Sequence, residues 1–591
     1  MKTPNTLRKN TVLSKGWRFQ IDQFNLGILE QWYEREYPCH TWARVTVPGA
    51  WDTYNEALWG YEGIGWYSVK FKTTDINIDQ IIQLVFARVN YHTKVWLNGS
   101  SLGENIGGYL PFKFDVTGLL NIDADNTLTL RVDNTPKVQW LPATLQIEWI
   151  HYGGILGTIS LAQYPKIYIS HLSVHGEPSE AGAAVFADIE ITNNSKITEN
   201  LVLSASVFAD QIKTKTNQHI TCPAEGSSVH RVEFSTQARQ YWSPDNPVLS
   251  ILKVTIIKNN STIDKTSERF GIRRIEVTGT DLLLNGKTLF IRGVNRYEEY
   301  GKYGPTPPIA LIKKDLAEIK KAGVNFIRVH HPQSPLLLTL FDEMGFLMME
   351  ELPLNWWGLA FHGAKPKQNA DILVQAEKEL TAMIRRDGNH PSIIMWSMAN
   401  ECKTKSKVGI HVMRKLLEKS KSLDTTRLAT FVTGKGLENE LAFKYADLVC
   451  YNMYMGSMSG KICHHINQLD ILAKQASLEY MKKQNEFFPD KVKLITEFGC
   501  SGIKNISGDM HLSEHFQARY LEKVWEAICE CRYVYGGVLW SWADYYHHKR
   551  FHGITVFGPY GAVTVDRQKK LSLTSLKNMF QKNSSKSMRN T

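Results

Sequence analysis

The sequence predicts a multidomain fold, with two β-sandwich domains followed by a C-terminal (β/α)8 barrel. Three observations support this prediction. The chain has 591 residues, and a chain of this length usually folds around several hydrophobic cores. Short runs that alternate apolar and polar residues, without helical periodicity, fill its first half. From residue 276 onward, short apolar runs alternate with longer amphipathic stretches, which is typical of repeated βα units.

Residues 1–167 are expected to form the first sandwich. Two of its strand candidates are Tyr67–Phe71 and Thr127–Val132, in which apolar and polar residues alternate. The pairs Asn98-Gly99 and Gly107-Gly108 supply turns between such runs. Many short strands separated by turns indicate a sandwich of two sheets.

Residues 168–275 form the second predicted domain. Period-2 alternation is clear in Ala184–Ile191 and Leu201–Val207. About 100 residues with roughly seven such runs fit an immunoglobulin-like β-sandwich. No residue in this domain indicates catalysis, so we expect it to act as a spacer or brace.

Residues 276–591 are expected to form the barrel. Between its strands lie amphipathic segments, for example one that places Ile312, Leu316 and Ile319 on a single helix face. A (β/α)8 barrel needs eight such units in about 300 residues. The eight strand candidates are Leu289–Arg292, Phe326–Val329, Phe346–Met349, Ile393–Ser397, Leu428–Thr430, Leu448–Tyr451, Lys493–Thr496 and Gly537–Trp540.

Composition and charge weigh against several classes of function. The formal net charge is +11, but Lys and Arg are spread along the chain, and the only biased stretch is the tail Lys577–Arg589. Charge without a recognition motif is weak support for nucleic acid binding, so we expect none. Aromatic residues make up 11% of the chain and include 16 Trp, which suits either flat sugar faces or large cores.

Cysteine usage and hydropathy predict further absences. The 8 cysteines contain no CxxC pair, and Cys463 with the two histidines after it lacks a second ligand pair, so we expect no metal site and no cofactor. No run approaches the roughly 18 apolar residues that a membrane span needs. The segment Met1–Arg18 has no apolar core of signal-peptide length. We therefore expect a cytoplasmic protein with no membrane partner.

Two glutamates directly follow predicted barrel strands. Glu401 comes after the fourth strand and Glu497 after the seventh. Barrel enzymes place reactive groups where the strands end at one face, so both carboxylates are expected in one cavity. One protonated and one ionised carboxyl group suit the hydrolysis of an acetal. We therefore predict that these two glutamates form a catalytic pair.

Three alternatives stay open at this point. Glu350 and Glu351 end the third strand and are a competing carboxylate pair. The second alternative is a carbohydrate-binding protein without catalytic activity, because a fold alone does not define a function. A binder of anionic surfaces is the third alternative, and it would show strong salt dependence without hydrolysis.

Several motifs occur in a fixed order along the chain, from about residue 15 to residue 575. They are Val95-Trp-Leu-Asn98-Gly, Gly107-Gly-Tyr-Leu-Pro-Phe112, Asn285-Gly-Lys, Arg292-Gly-Val-Asn-Arg296, Arg385–Ser392 followed by Asn400-Glu401, and Thr496-Glu497-Phe-Gly499. These motifs and their order resemble those of glycoside hydrolase family 2. The resemblance implies a sugar-binding jelly roll as the first domain, a carbohydrate substrate and a homo-oligomer.

The resemblance also implies a retaining double displacement that releases a terminal β-linked sugar. Glu497 would be the nucleophile and Glu401 the acid/base. Asn400 would hydrogen-bond the 2-hydroxyl of the sugar. Tyr454 would donate to the carboxylate of Glu497, although a packed aromatic residue would look the same in the sequence.

Four further residues are candidates for sugar contact by the same resemblance. Arg328 and His331 end the second strand, but the chain reads Arg328-Val-His-His-Pro, one residue shorter than the usual pattern, so which histidine faces the sugar stays open. Trp540 follows the eighth strand and is a candidate stacking floor or a core residue. Glu148 lies near the position of an acidic sugar contact in some relatives.

The identity of the sugar is open. Residues 540–570 look most like the β-glucuronidases of the family. Those enzymes grip the sugar carboxylate with an Asn-x-Lys motif, where this chain has Gly558-Pro559-Tyr560. A buried carboxylate needs a charged or multiply donating partner, and the basic cluster His547–Arg550 is either that partner or a solvated loop. A neutral sugar such as galactose, and galacturonate, are the alternatives to glucuronate.

Overall fold

The structure, a computed structural model, describes residues 7–73, 76–358, 366–548 and 557–582. The chain divides into two compact units. The first unit comprises the described residues of Met1–Pro136, His151–Tyr241 and Val248–Ile272. The second unit comprises those of Lys137–Ile150, Trp242–Pro247 and Arg273–Thr591. The domain boundaries after residues 167 and 275 stay a prediction.

The first unit begins with the predicted first sandwich. Its strands form antiparallel sheets in the orders β1-β13-β6-β10, β3-β2-β5-β11-β8-β9 and β4-β12-β7. Apolar residues that alternate along these strands, among them Phe19, Tyr67 and Leu128, fill a common core. The strands are β1 Lys9–Val12, β2 Arg18–Ile21, β3 Ala43–Arg44, β4 Gly49–Ala50, β5 Ile64–Lys72, β6 Ile81–Phe86, β7 Val89–Asn90, β8 His92–Leu97, β9 Ser100–Ile106, β10 Phe112–Asp115, β11 Asp125–Asp133, β12 Gly154–Ile155 and β13 Ile159–Tyr164.

The immunoglobulin-like sandwich follows in the same unit. Its two sheets have the orders β14-β15-β18 and β17-β16-β19-β20. Every second residue of Ala183–Ile191 is buried in the core between them, because side chains alternate across a strand. The strands are β14 Ile167–Ser179, β15 Gly182–Asn193, β16 Glu199–Ala209, β17 Ile212–Cys222, β18 Gly226–Thr236, β19 Ser250–Lys258 and β20 Ser261–Phe270.

The second unit contains a closed barrel of eight parallel strands in sequence order. Each of the eight predicted strands overlaps one of them, so the predicted fold class is confirmed. A small antiparallel sheet precedes the barrel, with strands β21 Ile275–Thr278, β22 Asp281–Leu284 and β23 Lys287–Thr288. The barrel strands are β24 Ile291–Asn295, β25 Phe326–Arg328, β26 Leu347–Glu351, β27 Ile393–Asn400, β28 Leu428–Thr433, β29 Val449–Asn452, β30 Lys493–Phe498 and β31 Val534–Leu539.

Helices connect the barrel strands. Leu316 and Ile319 of the first helix are buried, as its apolar spacing predicts. A short 3₁₀ helix, Leu441–Tyr445, replaces the α-helix between β28 and β29. In the described part of the chain, no helix is long and apolar enough to cross a membrane. The helices are α1 Ile309–Lys321, α2 Pro335–Met344, α3 Pro366–Asp387, α4 Lys407–Leu423, α5 Ala476–Asn485, α6 Glu514–Glu530 and α7 Leu571–Lys582, and a last hairpin pairs β32 Tyr545–Tyr546 with β33 Phe557–Gly558.

Candidate active site

The carboxyl ends of the barrel strands bring the two predicted glutamates to one site. Asn400 is the last residue of β27, and Glu401 follows it directly. Glu497 lies at the end of β30, where it pairs in register with Asn452 of β29. Parallel strands of a barrel all end at the same face, which explains why residues far apart in the sequence meet here.

The carboxylate of Glu497 is buried and is bound at both oxygens. Arg328 Nη1 donates to its Oε1 at 2.6 Å, and Tyr454 Oη donates to its Oε2 at 2.6 Å. Burial is the main reason that the pKa of Glu497 is raised to about 7, and the charge of Glu401 adds to the increase. Arg328 and Tyr454 act in the opposite direction, because both favour the ionised form.

Arg328 donates hydrogen bonds to several residues of this site. Its guanidinium also donates to Glu351 Oε2 at 3.0 Å, to Asn400 Oδ1 at 2.9 Å and to Asn295 Oδ1 at 3.1 Å. Burial lowers the pKa of Arg328, but the charges of the two glutamates outweigh burial and raise it. Together with its bond to Glu497, the planar guanidinium thus binds side chains at the ends of four other strands.

Glu401 has different surroundings from Glu497. Asn452 Nδ2 donates to its Oε1 at 2.7 Å, and the indole Nε1 of Trp356 donates to its Oε2 at 3.1 Å. Thr496 Oγ1 donates to Asn452 Oδ1 at 2.9 Å, which turns the amide nitrogen toward Glu401. Glu401 is partly exposed, and its two hydrogen-bond donors are neutral.

The competing carboxylates, Glu350 and Glu351, do not form a pair. They are adjacent in β26, and successive residues of a strand point to opposite faces. Glu350 Oε1 accepts from the backbone of Gln333 at 3.0 Å, whereas Glu351 accepts from Arg328 and, at 2.7 Å, from Ser397 Oγ. The pKa of Glu351 is lowered because Arg328 and its hydrogen bonds outweigh burial. The geometry therefore disfavours a shared catalytic role for these two residues.

Two neighbouring histidines have different positions. His330 Nε2 lies 3.7 Å from Glu497 Oε1, and His330 Nδ1 lies 2.8 Å from Glu351 Oε1. The ring of Trp149 stacks on His330 with a centroid separation of 5.8 Å and an interplanar angle of 8°. The expected His331 instead has its Nδ1 3.2 Å from Gln333 Nε2. Contact of His331 with a sugar stays a prediction.

Trp540 is part of a buried aromatic wall. It packs edge to face against Tyr297 at 5.6 Å and Tyr545 at 5.7 Å, and its Nε1 donates to Tyr545 Oη at 3.2 Å. Trp540 is only 2% exposed. Its role as a stacking floor stays a prediction.

Glu148 lies beside this wall, on the segment Lys137–Ile150 of the barrel unit. Tyr545 Oη donates to Glu148 Oε1 at 3.3 Å. Burial raises the pKa of Glu148 well above its usual value, and the charges of Glu497 and Glu401 raise it further. The carboxyl group of Glu148 therefore shares an electrostatic environment with both predicted catalytic glutamates.

The basic cluster His547–Arg550 is only partly described, because Lys549 and Arg550 lie outside the described residues. His547 and His548 are buried. His547 Nδ1 donates to the carbonyl oxygen of Glu148 at 3.1 Å, and burial lowers the pKa of His547 to about 4. These two residues therefore do not belong to a solvated charged loop, and His547 is neutral near pH 7.

The segment that replaces the expected Asn-x-Lys motif packs against His547. A Cβ atom on Gly558 would lie 2.6 Å from His547 Nε2, so glycine leaves the room that the imidazole occupies. The ring of Tyr560 stacks on Tyr545 at a centroid separation of 6.2 Å. Lys570 Nζ donates to Asp544 Oδ1 at 3.0 Å and to the carbonyl oxygen of Pro559 at 3.2 Å.

Sequence reasoning missed several residues of the site. Asn452 ends a barrel strand, so the rule that selected Glu401 applies to it as well. The sequence places Trp356, with Trp357, in the segment after the third strand, where it offers an aromatic contact beside the site. No pattern in the sequence connects Trp149 with the barrel strands. Among the residues that the structure describes, no cluster of three or more His, Cys, Asp or Glu side chains could hold a metal ion.

Three family models match the chain. The model described as "Glycosyl hydrolases family 2, TIM barrel domain" matches residues 275–584. The model "Glycosyl hydrolases family 2" matches residues 167–273. The model "Glycosyl hydrolases family 2, sugar binding domain" matches residues 11–165.

Similar proteins and solved structures agree with these matches. The β-glucuronidase of Mus musculus is 25% identical over 95% of this chain and 89% of its own length. A protein of Formosa agariphila is 30% identical, and the match covers only 43% of that protein's length. Among solved structures, a β-galacturonidase from Eisenbergiella tayi bound to galacturonate has a TM-score of 0.84 at 23% identity, with 98% of each chain covered. The β-glucuronidase of Ruminococcus gnavus has a TM-score of 0.86 at 22% identity, covering 98% of this chain and 99% of its own.

Proposed function

Because the chain belongs to family 2 of the glycosyl hydrolases and is a glycoside hydrolase, we propose that it is a retaining exo-β-glycosidase that acts by double displacement. The observation that carries this proposal is the different binding of the two carboxylates. Glu497 is held by a cation and a phenol, and Glu401 by two neutral N–H donors. A nucleophile must be ionised, whereas a proton donor must take up a proton and release it.

In the first step, the ionised carboxylate of Glu497 attacks the anomeric carbon. The glycosidic C–O bond breaks, and Glu401 gives its proton to the leaving oxygen. In the second step, Glu401 takes a proton from a water molecule, whose oxygen attacks the anomeric carbon and releases Glu497. Two inversions give net retention, and both glutamates return to their starting states.

The remaining predicted residues have supporting roles in this proposal. Asn400 binds the 2-hydroxyl of the sugar. Its amide is held in place because Arg328 donates to its Oδ1 and its Nδ2 donates to Asn355 Oδ1 at 2.8 Å. Tyr454 and Arg328 orient the nucleophile. Trp540 forms the floor of the sugar site, as the sequence predicts. The predicted homo-oligomer and cytoplasmic location have no support in these contacts and stay predictions.

The glycone is proposed as a β-linked sugar of the glucuronide or galactoside type. Similar proteins named β-glucuronidases favour a uronic acid. The surroundings of Glu148 give less support to a uronic acid, because a sugar carboxylate needs a positively charged partner. The described neighbours Tyr545 and His547 are neutral, and Gly558-Pro559-Tyr560 contains no cation. A galacturonide is the second candidate, and its carboxylate needs the same kind of charged partner.

Hydrolysis of a panel of nitrophenyl β-glycosides tests the proposal. The panel contains the glucuronide, galacturonide, galactoside, glucoside, mannoside and fucoside. We expect one glycone to dominate, and Glu497→Gln to lower kcat by at least ~10³-fold. Glu418→Gln, at an exposed glutamate paired with Arg414, is the matched control and should keep full activity.

The stereochemistry of the first product tests the mechanism separately. Proton NMR during early turnover should show the β-anomer of the released sugar before mutarotation. An α-anomer as the first product would contradict double displacement. Failure of the wild-type protein to hydrolyse any member of the panel would instead favour the non-catalytic carbohydrate-binding alternative.

A further inference from the structure

The outer face of one sheet of the immunoglobulin-like sandwich has a trough along its strand β16, the β16 trough. Alternate residues of β16 fill the core, so Ser204 and Ser206 point to the opposite side. β16 lies between β17 and β19, and Ser206 is in register with Lys215 on one side and with Lys253 on the other. Short side chains therefore lie between longer ones. The flanking strands are about 10 Å apart, which leaves room for one extended polymer chain.

Four exposed lysines, Lys213, Lys215, Lys253 and Lys265, lie on the same face as the β16 trough. The Nζ atoms of Lys213 and Lys253 come from two different strands, yet they lie 5.4 Å and 4.6 Å from the centroid of the Phe208 ring. The two ammonium groups are therefore no more than about 10 Å apart, which is the Debye length at 0.1 M salt. Like charges at this distance are only partly screened, so an anion that lies between them relieves their repulsion.

Within the described part of the chain, no carboxylate forms an ion pair with these four lysines. The strands β16, β17, β19 and β20 contain three acidic residues. Glu199 binds Lys258 at 2.7 Å, and the buried Asp264 accepts from Arg8 Nε at 2.7 Å. Glu268 is in register with a core residue of β19, so it points away from the lysines. Protein surfaces usually mix charges of both signs, so a strand face with cations and no carboxylate indicates an anionic partner.

A groove of about 350 Å³ lies at one end of the β16 trough. Its lining includes Asn200 and Val202 of β16, Thr221 of β17 and Ile257 of β19. Thr221 Oγ1 donates to Asn200 Oδ1 at 2.9 Å, which leaves the Nδ2 group of Asn200 to donate to a ligand. Val202 and Ile257 are half-buried and in register with each other. Amide and hydroxyl groups around a small apolar patch suit the hydroxyls and the C–H face of a sugar ring.

We propose that the β16 trough binds a linear acidic polysaccharide, whose anionic groups contact the lysines and whose hydroxyls contact the groove. A carbohydrate is favoured among anionic polymers because the groove offers neutral donors and acceptors, and because the chain is a glycoside hydrolase. Single-stranded nucleic acid is held largely by bases that stack on aromatic rings, whereas the Phe208 ring is contacted by two ammonium groups. The β16 trough and the pair Glu401 and Glu497 belong to different units, so this binding is separate from the hydrolytic mechanism.

Titration of the full chain with polygalacturonate tests the lysines. We expect the wild-type protein to bind this polyuronate, to bind the neutral polymer dextran much more weakly, and to lose affinity for polygalacturonate as salt is added. The double variant Lys215→Gln/Lys253→Gln should bind polygalacturonate about ten-fold more weakly, because two charge contacts are lost. Its hydrolysis of a nitrophenyl glycoside should equal that of the wild type. Equal affinity of the double variant and the wild type for polygalacturonate would overturn the proposal.

Lys15→Gln/Lys70→Gln is the matched control for the double variant. These two exposed lysines belong to the first sandwich, and their replacement removes the same total charge. The control should bind polygalacturonate as the wild type does. An equal loss of affinity in both double variants would show a general effect of net charge and would overturn the site.

Ser206→Phe tests the shape of the β16 trough separately from its charge. The substitution keeps every charge, fills the floor between β17 and β19, and introduces a residue that strands accommodate well. We expect the affinity for polygalacturonate to fall at least about ten-fold, because the larger side chain clashes with the polymer. Ser235→Phe, at an exposed serine of β18 in the other sheet, is the control and should keep wild-type affinity. Unchanged affinity in Ser206→Phe would overturn the trough as the binding site.

Two other anionic polymers test the choice of a polysaccharide. Oligothymidylate and polyglutamate carry negative charges on an extended chain but lack the free hydroxyls of a polysaccharide. At equal salt, we expect both to bind the wild-type protein more weakly than polygalacturonate does. Tighter binding of either polymer would overturn the polysaccharide. If no variant folds, the wild-type protein still decides, since failure to bind polygalacturonate at low salt would overturn the proposal.

Discussion

At the scale of single residues, the site separates two carboxyl groups by their hydrogen-bond donors. Glu497 receives a charged and a phenolic donor, and Glu401 an amide and an indole donor. Donors to an ionised carboxylate lower its pKa, and burial raises it. For Glu497, Arg328 and Tyr454 favour the ionised form, whereas burial and the charge of Glu401 oppose it.

Tyr454→Phe tests the donor to the nucleophile. The wild-type pKa of Glu497 is about 7, and the reaction needs its ionised form, so kcat/KM should rise as the pH is raised through about 7. The substitution removes a hydrogen bond that favours ionisation, so this rise should move to higher pH, and kcat should fall by about 10- to 100-fold. Tyr54→Phe, which loses a bond to the Gly49 carbonyl at 3.1 Å, is the control and should leave the pH profile unchanged.

Glu351→Gln separates the competing carboxylate from the proposed pair. The variant leaves the buried Arg328 without one of its two carboxylate partners, so we expect a loss of about 3 kcal/mol in the free energy of unfolding. Activity should fall but stay measurable, whereas Glu401→Gln should remove hydrolysis of a phenyl glycoside. Denaturant unfolding and initial rates measure the two effects. Abolished turnover in Glu351→Gln, with Glu401→Gln fully active, would favour the competing pair.

At the scale of secondary-structure elements, the ends of β27 and β28 shape the position of Glu401. The backbone of Glu401 has a φ of +49°, just beyond the last residue of β27. The pairing of β27 with β28 shifts register between Ser397 and Asn400, which indicates a bulge before the site. Gly434 follows β28, and a Cβ atom there would lie 2.2 Å from Glu401 Oε1. Close approach explains the need for glycine at this position.

Gly434→Ala is expected to displace the carboxyl group of Glu401. A displacement of about 1 Å costs on the order of 10²-fold in rate, so kcat should fall by about that factor while KM changes little. The fold should tolerate the substitution, since the clash is with the end of a side chain. Gly226→Ala in the other unit, where the nearest atom to the new Cβ is Pro223 Cγ at 3.0 Å, is the control. Unchanged kcat in Gly434→Ala would contradict this role of the glycine.

At the scale of the whole molecule, the barrel unit includes segments that precede the barrel in the sequence. Lys137–Ile150 belongs to this unit and brings Glu148 and Trp149 to the site. Trp149 is 6% exposed and contacts Tyr297 as well as His330. The candidate site is therefore completed by a chain segment outside the predicted barrel.

Trp149→Ala tests this contribution. Removing a buried tryptophan costs about 3–5 kcal/mol, and it frees His330 from its stacking partner. We expect a lower midpoint of thermal unfolding and a fall in kcat/KM, even at temperatures where the variant is folded. Trp59→Ala, at a tryptophan that is 42% exposed, serves as the control and should change neither quantity much. Normal activity of the folded Trp149→Ala variant would show that the segment has only a structural role.

The sequence alone determined the fold class and the two principal candidates. Period-2 alternation predicts the sandwiches, and apolar runs between amphipathic segments predict the barrel, because burial against a core imposes these periods on each element. The rule that barrel strands end at one face selected Glu401 and Glu497 without any contact information. The family resemblance added Tyr454 and Arg328, and the structure places both on Glu497.

Only the tertiary structure decided how the strand ends share their hydrogen bonds. Asn452, Trp149 and Trp356 come from separate parts of the chain, and no local pattern connects them. Whether His330 or His331 lies beside Glu497 depends on the backbone direction after β25, and a short sequence motif does not specify it. The same holds for Glu351, which shares Arg328 with Glu497 through contacts that no sequence pattern specifies. Periodicity reports which residues are buried, whereas orientation depends on contacts that form only when distant segments pack together.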